Sequence, residues 1–472
     1  MDRRYEVLDE AARLARGYTD GLADRPVRAS AGLDELRARL ARPLTDAGED
    51  PGVVVADLAA DVADGLVASD GPRYFGFVIG GAYPVAIAAD WLTSAWDQNG
   101  GGFVAAPALS VVEEVAAGWT RELLGLPGGC SVGFVTGGQM ANFTCLAAAR
   151  HAVLRDAGWD VESHGLQGAP EVRVIAGEYT HVTILVAVRM LGLGAERVRL
   201  VAADGQGRMR PDALVAALDE HDGPTIVCAQ AGEINTGAFD PLEPITAACR
   251  ERGAWCHVDG AFGLWAAASP TRRALTTGLD RADSWATDAH KWLNVPYDCG
   301  IAAVADAGAH RAAMTSTSAY IPAHADDVPW GFDWTPELSR RARGVPLYAT
   351  LRALGRDGVA DLIDRCCDHA ARLAELLAAD ARIAVLNDVV LNQVLVRVGD
   401  DDAVTNAVID AVQRDGTCWL GGSTFGGRAV LRVSIVGWQT TADDIDRSAT
   451  AIRAAVDQVM PSAAGTAGPR PR

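Results

Sequence analysis

Apolar residues first gather along this chain at helical spacing. Leu33, Leu36 and Leu40 recur three and four apart, and residues 1 to about 70, rich in Ala, Leu, Asp and Arg, predict an N-terminal helical segment. From Pro107 a second stripe, Val112, Val115, Trp119 and Leu123, predicts a helix that Pro127-Gly128-Gly129 ends. Between about 130 and 305 the pattern changes, and short β-branched runs alternate with amphipathic stretches. Strands are expected at 172–176, 225–229, 255–258, 284–287 and 300–304, with helices at 141–157, 211–220 and 242–252. This βαβα order implies a largely parallel sheet covered by helices, with ligands at the carboxyl ends of its strands. Residues 315–345 carry Pro322, Pro329 and Pro336, with Pro346 just beyond, among polar and aromatic residues, and suggest a long loop of the kind that covers active sites. A helix-rich stretch follows at 347–380. Strand 389–398, helix 403–414, strand 429–435 and helix 442–459 then make a smaller α/β unit, and the tail PSAAGTAGPRPR is of low complexity.

A length of 472 residues suits two or three domains sharing a large core. The pattern divides the chain into a helical segment at 1–70, a large domain at 71–325, a small domain with its preceding loop at 326–460, and a disordered tail at 461–472. A net charge of -19 argues against nucleic acid and anionic lipid as partners, because both would be repelled. The opening MDRRYEVLDE has no apolar stretch behind its arginines, and no apolar run of 18 residues follows, so a cytoplasmic location is expected. Nine cysteines, odd in number and without a CxxC pair, argue against a disulfide framework or a zinc site.

One count alters the picture more than charge does. Lys291 is the single lysine, against 41 arginines. Arginine replaces lysine as a surface cation, but it stays protonated at any working pH and forms no imine. One retained primary amine therefore points either to covalent chemistry or to a survivor of biased composition, and its neighbours must decide.

Four segments bear on that choice. In AWCHVDGAFG, 254–263, an apolar run ends at Asp259, so the carboxylate should lie at a strand's C-terminal edge, either pairing with a ring nitrogen or capping a helix. In SWATDAHKW, 284–292, Lys291 follows Asp259 by 32 positions, enough for one helix and a return strand beside the first, so the two would meet above neighbouring strand ends. His290 beside it is a phosphate contact or a structural histidine. In FVTGGQMANF, 134–143, Gly137 and Gly138 open a helix, where backbone N–H groups and the helix dipole favour a phosphate, although such a pair is often only a tight turn. In GEYTH, 177–181, His181 follows an expected strand and could stack on a pyridine ring, or could serve as a cap or core histidine.

Together these segments carry a family resemblance. HVDGAFG, AHKW at 289–292 and TGGQMAN at 136–142 resemble the group II pyridoxal-5′-phosphate (PLP)-dependent amino-acid decarboxylases, a family that includes aromatic-L-amino-acid, glutamate and tyrosine decarboxylases. The similarity runs from PRYFG at 72–76 through Arg340-Arg341 into LRVSIVGW at 431–438. The resemblance implies an aspartate-aminotransferase-like (fold type I) α/β fold, with a mostly parallel seven-stranded sheet and a small C-terminal α/β domain, working as a homodimer with active sites near the subunit interface. It makes Lys291 the imine lysine, Asp259 the pyridinium partner, Ala261 a residue packed against the ring and His181 the histidine over its other face. Gly137, Gly138 and Gln139 fall where the family binds phosphate, with Asp288 and His290 as further contacts. Asn235, in the GEINTG turn that supports the ring aspartate, is a further polar group of the site.

The chain departs from the family at two places. Gly138 and Gln139 stand where Ser or Thr is usual, which shifts phosphate binding toward backbone N–H groups. In the loop, many decarboxylases present a tyrosine that returns a proton after CO2 leaves; Trp330-Gly331 falls near that position, and Tyr320 is the nearest tyrosine upstream. Decarboxylation of an L-amino acid to its amine is the leading expectation. An oxygen-using aldehyde synthase, a carbon–carbon lyase or an aminotransferase is the alternative on the same cofactor. A non-catalytic scaffold would require the lysine to be lost, and it is present. Tyr74, Phe75, Tyr83, Phe103, Phe262 and Trp265 lie in or near segments that could line a pocket suited to an aromatic or apolar side chain.

Overall fold

Apolar runs without alternation make strands buried on both faces, and such strands build sheets covered by helices. The computed structural model, which describes residues 5–315, 328 and 330–461, follows that rule. Strands β1 (Ser131–Val135), β2 (Arg173–Gly177), β3 (Arg199–Val201), β4 (Thr225–Gln230), β5 (Trp255–Asp259), β6 (Ser284–Asp288) and β7 (Gly300–Val304) form one sheet in the order β1-β7-β6-β5-β4-β2-β3. Strands β2 to β6 pair in parallel, and β7 runs antiparallel to both β6 and β1. All residues of β4, β5, β6 and β7 are buried. The mostly parallel seven-stranded sheet is the one that the resemblance implies.

The five expected strands are β2, β4, β5, β6 and β7, and each agrees to within one residue at either end. Two strands were not expected. β1 contains Gly133, which weakens a strand signal, and β3 is only three residues long with a charged end. The helix Gly138–Asp156 lies across the sheet through small residues, Ala141, Cys145, Ala148 and Ala152, whose size lets it come close.

The C-terminal unit has its own antiparallel sheet. Strands β8 (Ile383–Val385), β9 (Gln393–Val398), β10 (Gly421–Phe425) and β11 (Arg428–Ser434) take the order β10-β11-β9-β8 beneath helices Asp402–Asp415 and Ala442–Val459. The strand expected from 389 begins four residues later, because Val389 has φ 45 and Asn387 folds its amide onto the backbone of Gln393 and Leu395. The helix Gly344–Ala378 runs between the two sheets and breaks at Gly355, where φ 64 suits a residue without a β-carbon.

Residues ahead of the central sheet bind to the C-terminal unit. The Arg73 guanidinium pairs with Asp444 at 2.7 Å in a buried site, and the Phe75 N–H donates to the Trp419 carbonyl at 2.8 Å. Residues 72–76 therefore lie against both sheets. The helices Glu6–Asp20, Leu33–Leu40 and Pro51–Val62 bury no residue completely. No helix among the described residues is long and apolar enough to cross a membrane. Tyr320, Pro322, Pro329 and the tail from 462 lie outside the described residues.

Candidate active site

Parallel strands place their carboxyl ends along one edge, and the singled-out residues gather there. Asp259 is the last residue of β5 and Asp288 the last of β6, its parallel neighbour. Lys291 follows three residues later, in a turn pinned by Asn294, whose amide donates to the carbonyls of Trp292 (2.7 Å) and Val436 (2.9 Å). The Lys291 Nζ lies 3.0 Å from Asp288 Oδ2, with the lysine side chain 19% exposed and the aspartate 1%. Charges so buried require partners, and each is the other's.

Asp259 is held from two sides. The Ala261 N–H donates to its Oδ1 at 3.1 Å, and Asn142 Nδ2 donates to its Oδ2 at 3.0 Å. Two charge-assisted bonds fix the carboxylate and leave lone pairs on each oxygen for a further donor. Asn142 was not anticipated from sequence. It stands four residues after Gly138, on the same face of the helix, and that spacing was the available signal. His257, two residues before Asp259 and thus on the same sheet face, donates to Asn142 Oδ1 through Nε2 at 2.9 Å. Complete burial pushes the His257 imidazole down to about 4, so it is neutral.

His181 opens the helix Val182–Met190 and takes both roles considered for it. Its Nδ1 caps the helix, accepting from the Thr183 N–H at 3.4 Å and lying 2.8 Å from the Thr183 hydroxyl. The ring also sits in the electrostatic field of Asp259, Lys291, Arg432 and Asp288, which marks it as part of the same cluster. Burial pushes its pKa down, and the Lys291 and Arg432 cations push the same way. His290 is likewise held down by burial; its Nδ1 accepts from the Cys299 N–H at 3.1 Å, and Nε2 lies 3.7 Å from Asp288 Oδ1.

At the helix start, Gly137 is the cap and Gly138 the first residue, with Gln139 exposed in the first turn. A β-carbon on Gly138 would come within 2.9 Å of Asp288 Oδ2, and one on Gly137 within 3.1 Å of His290 Cε1. Only glycines let this backbone sit so near the two side chains. Ala261 faces Gly138, 3.6 Å from where that β-carbon would be. Asp288 Oδ1 is buried without a hydrogen-bond partner, as a group awaiting a donor would be. An open helix N-terminus, a two-point aspartate, a primary amine and an orphaned buried oxygen fit a phosphorylated pyridine aldehyde.

Asn235 stands in the turn after β4, with its amide bonded to Glu233 Oε1 at 2.8 Å and its Oδ1 receiving the Ser423 hydroxyl at 2.7 Å. It ties that turn to the small sheet. Arg432 of β11 is half-buried, and its guanidinium makes no hydrogen bond or ion pair among the described residues. Burial lowers its pKa while the charge of Glu233 opposes the shift. A cation interrupting the apolar strand Arg428–Ser434 was a signal that periodicity reading passed over.

Of the aromatic residues, Phe75, Phe262 and Trp265 are core packing, and Tyr83 stacks on Trp438. Tyr74 stacks on Trp419 with centroids 5.0 Å apart and planes 11° apart; the exposed Phe77 tilts onto the same indole. Tyr297, also unanticipated, lies over His290 with ring centroids 4.4 Å apart, and burial pushes the Tyr74 hydroxyl up to about 12. Trp330 is buried at the downstream end of the loop, against Gly102.

Comparison with known proteins matches residues 34–398 to the pyridoxal-dependent decarboxylase conserved domain. An aromatic-L-amino-acid decarboxylase of Bacillus atrophaeus is 25% identical, over 96% of this chain and 95% of its own. Among solved structures, an Oryza sativa TDC with PLP and tryptamine superposes with a TM-score of 0.91 at 24% identity, covering 98% of this chain and 99% of that one. A Rhodiola rosea 4-hydroxyphenylacetaldehyde synthase superposes with a TM-score of 0.86 at 22% identity, covering 98% and 99%. At such identities the two structures establish the fold.

Proposed function

We propose, from the premise that this chain belongs to the pyridoxal-dependent decarboxylase family and is a PLP-dependent carboxy-lyase of an amino acid, that Lys291 is the residue joined to the cofactor and that the substrate carries an aromatic side chain. One observation carries the reading: the chain's single lysine stands beside a buried aspartate at the end of β6, next to the strand that ends in Asp259. When bound, PLP supplies a ring that accepts the electron pair left as CO2 departs.

The chain's own residues do the rest. Asp259 keeps a proton on the ring nitrogen, and Ala261 and His181 hold the ring between them. The backbone N–H groups at Gly137, Gly138 and Gln139 receive the phosphate, with His290 Nε2 beside them; Asp288 serves mainly as the partner of the Lys291 amine. Asn235 acts through the turn it braces. Arg432 is the counter-charge for the carboxylate the substrate brings. Tyr74, Trp419, Phe77 and Tyr297 offer aromatic faces at the mouth. His181, accepting at Nδ1, has its Nε2–H left to donate a hydrogen bond toward the ring or substrate.

The exposed apolar faces of the first three helices support a homodimer, and nine free, buried cysteines suit a reducing cytoplasm. Two separate sheets support the division into a large domain at 71–325 and a small one from 326. The aldehyde-synthase reading has one point in its favour: Trp330-Gly331 falls near the position at which, by the family resemblance, many decarboxylases present a loop tyrosine. Lys291→Ala tests the main reading. Activity falls by roughly three orders of magnitude or more, the visible absorption band is lost, and borohydride followed by peptide mapping finds no labelled peptide. Wild-type turnover in that variant overturns the proposal, and aldehyde with peroxide in place of amine selects the second reading.

A further inference from the structure

The polar groups behind Asp259 form one chain whose hydrogens can run in only one direction. Trp255 Nε1–H can only donate, and it does so to Ser284 Oγ at 2.9 Å. Ser284 Oγ can accept a second hydrogen, so the direction is set at the other end, where the Asp259 carboxylate takes the Asn142 NH2 at 3.0 Å. Asn142 then offers Oδ1 to His257 Nε2–H at 2.9 Å, the neutral ring accepts the Ser284 hydroxyl hydrogen at Nδ1 at 2.9 Å, and the same NH2 reaches Thr183 Oγ1 at 3.1 Å. His181 Nδ1 already accepts from the Thr183 N–H at 3.4 Å, so the Thr183 hydroxyl, which accepts from Asn142, gives its own hydrogen to that same nitrogen. Reversing the His257 link would set the Asn142 carbonyl against the Asp259 carboxylate. Asn142, Ser284 and His257 are all fully buried, so no water can substitute for a missing partner.

We infer that Asn142 is a positioning residue that couples the two faces of the cofactor site: one side-chain amide holds Asp259 as an acceptor and, through Thr183, sets His181 as its Nε2–H tautomer. This inference rests on the assignment of Asp259 and His181 to the cofactor. Among the described residues Asp259 and His181 share no direct hydrogen bond, and Asn142 links them through Thr183. The orientation of the amide is set by the Asp259 carboxylate, which can only accept.

Two measurements on the whole protein test it. In cofactor-free protein with nitrogen-15 histidine, assigned through His181→Gln and His257→Gln, both rings show the Nε2–H pattern. Asn142→Asp, close in size, removes the donors and keeps the acceptor; it alters the His181 signal, and Thr183→Val alters His181 while sparing His257. Titration with PLP then shows Asn142→Asp binding about tenfold or more weakly than wild type, the effect of one charge-assisted bond. Asn142→Leu serves if the new carboxyl prevents folding. Unchanged PLP affinity and an unchanged His181 signal in a folded Asn142 variant overturn the coupling. Asp259→Ala is the reference: if it too binds PLP normally, the site assignment itself fails, and if it alone loses PLP, only the role of Asn142 does.

Discussion

At the carboxyl edge of the central sheet the chain buries charge, whereas along its first 62 residues it exposes apolar surface. Asp259, Asp288, His257 and His290 are all buried at that edge, yet Leu8, Val54 and Leu58 on the N-terminal helices are 58%, 48% and 55% exposed. Each region departs from the usual distribution in its own direction, and each is thereby marked as a surface that something completes. The polar edge suits a small charged molecule, since its buried groups retain unused hydrogen-bonding capacity. The apolar helices suit a protein face, since they offer area and few directional groups.

The strongest way to break this contrast is to charge the apolar side. Val54→Glu together with Leu58→Glu, one helical turn apart, should convert a particle of two chains into a single chain of 49.4 kDa in sedimentation velocity. If these side chains simply face water, the substitutions should change stability by no more than about 0.5 kcal/mol and leave the mass untouched. On the polar side, Arg432→Leu should lower kcat/KM by about a hundredfold, chiefly through KM, with PLP affinity preserved. Equal KM values would remove Arg432 from substrate binding. The smallest effect concerns pH. His257 is neutral when folded, with its pKa near 4 against about 6.5 unfolded. Its contribution is therefore complete above pH 6.5 and is lost as pH falls toward 4, because the unfolded chain takes up the proton first. The urea-derived stability gap between wild type and His257→Gln should shrink over that window by at most about 3 kcal/mol; a gap that does not vary with pH would mean the ring is solvated.

Much of the central architecture was legible because parallel strands advertise themselves as unbroken apolar runs. β5 and β6 could be read this way, and with them the positions of Asp259 and Lys291. β3 and β8 were too short to register, and β10, GGSTF, carries glycines where a strand signal needs branched side chains. At the site, residues in motifs were found and those meeting across the fold were not. Asn142 sits 117 positions from Asp259, and Arg432 arrives from another sheet. The only local sign of such an asparagine is its place one turn after Gly138 on the same helix face. Of the aromatic residues considered, Phe262 and Trp265 proved to be packing, since ring size alone does not tell a wall from a core.

The isolation of Lys291 has an analytical consequence. A lysine-specific protease can cut this polypeptide at one bond only, directly after the amine that the proposed chemistry uses. Reductive fixation of a ligand on that amine would abolish the cleavage, so a denaturing gel of digested material would report occupancy of the site without any substrate being known.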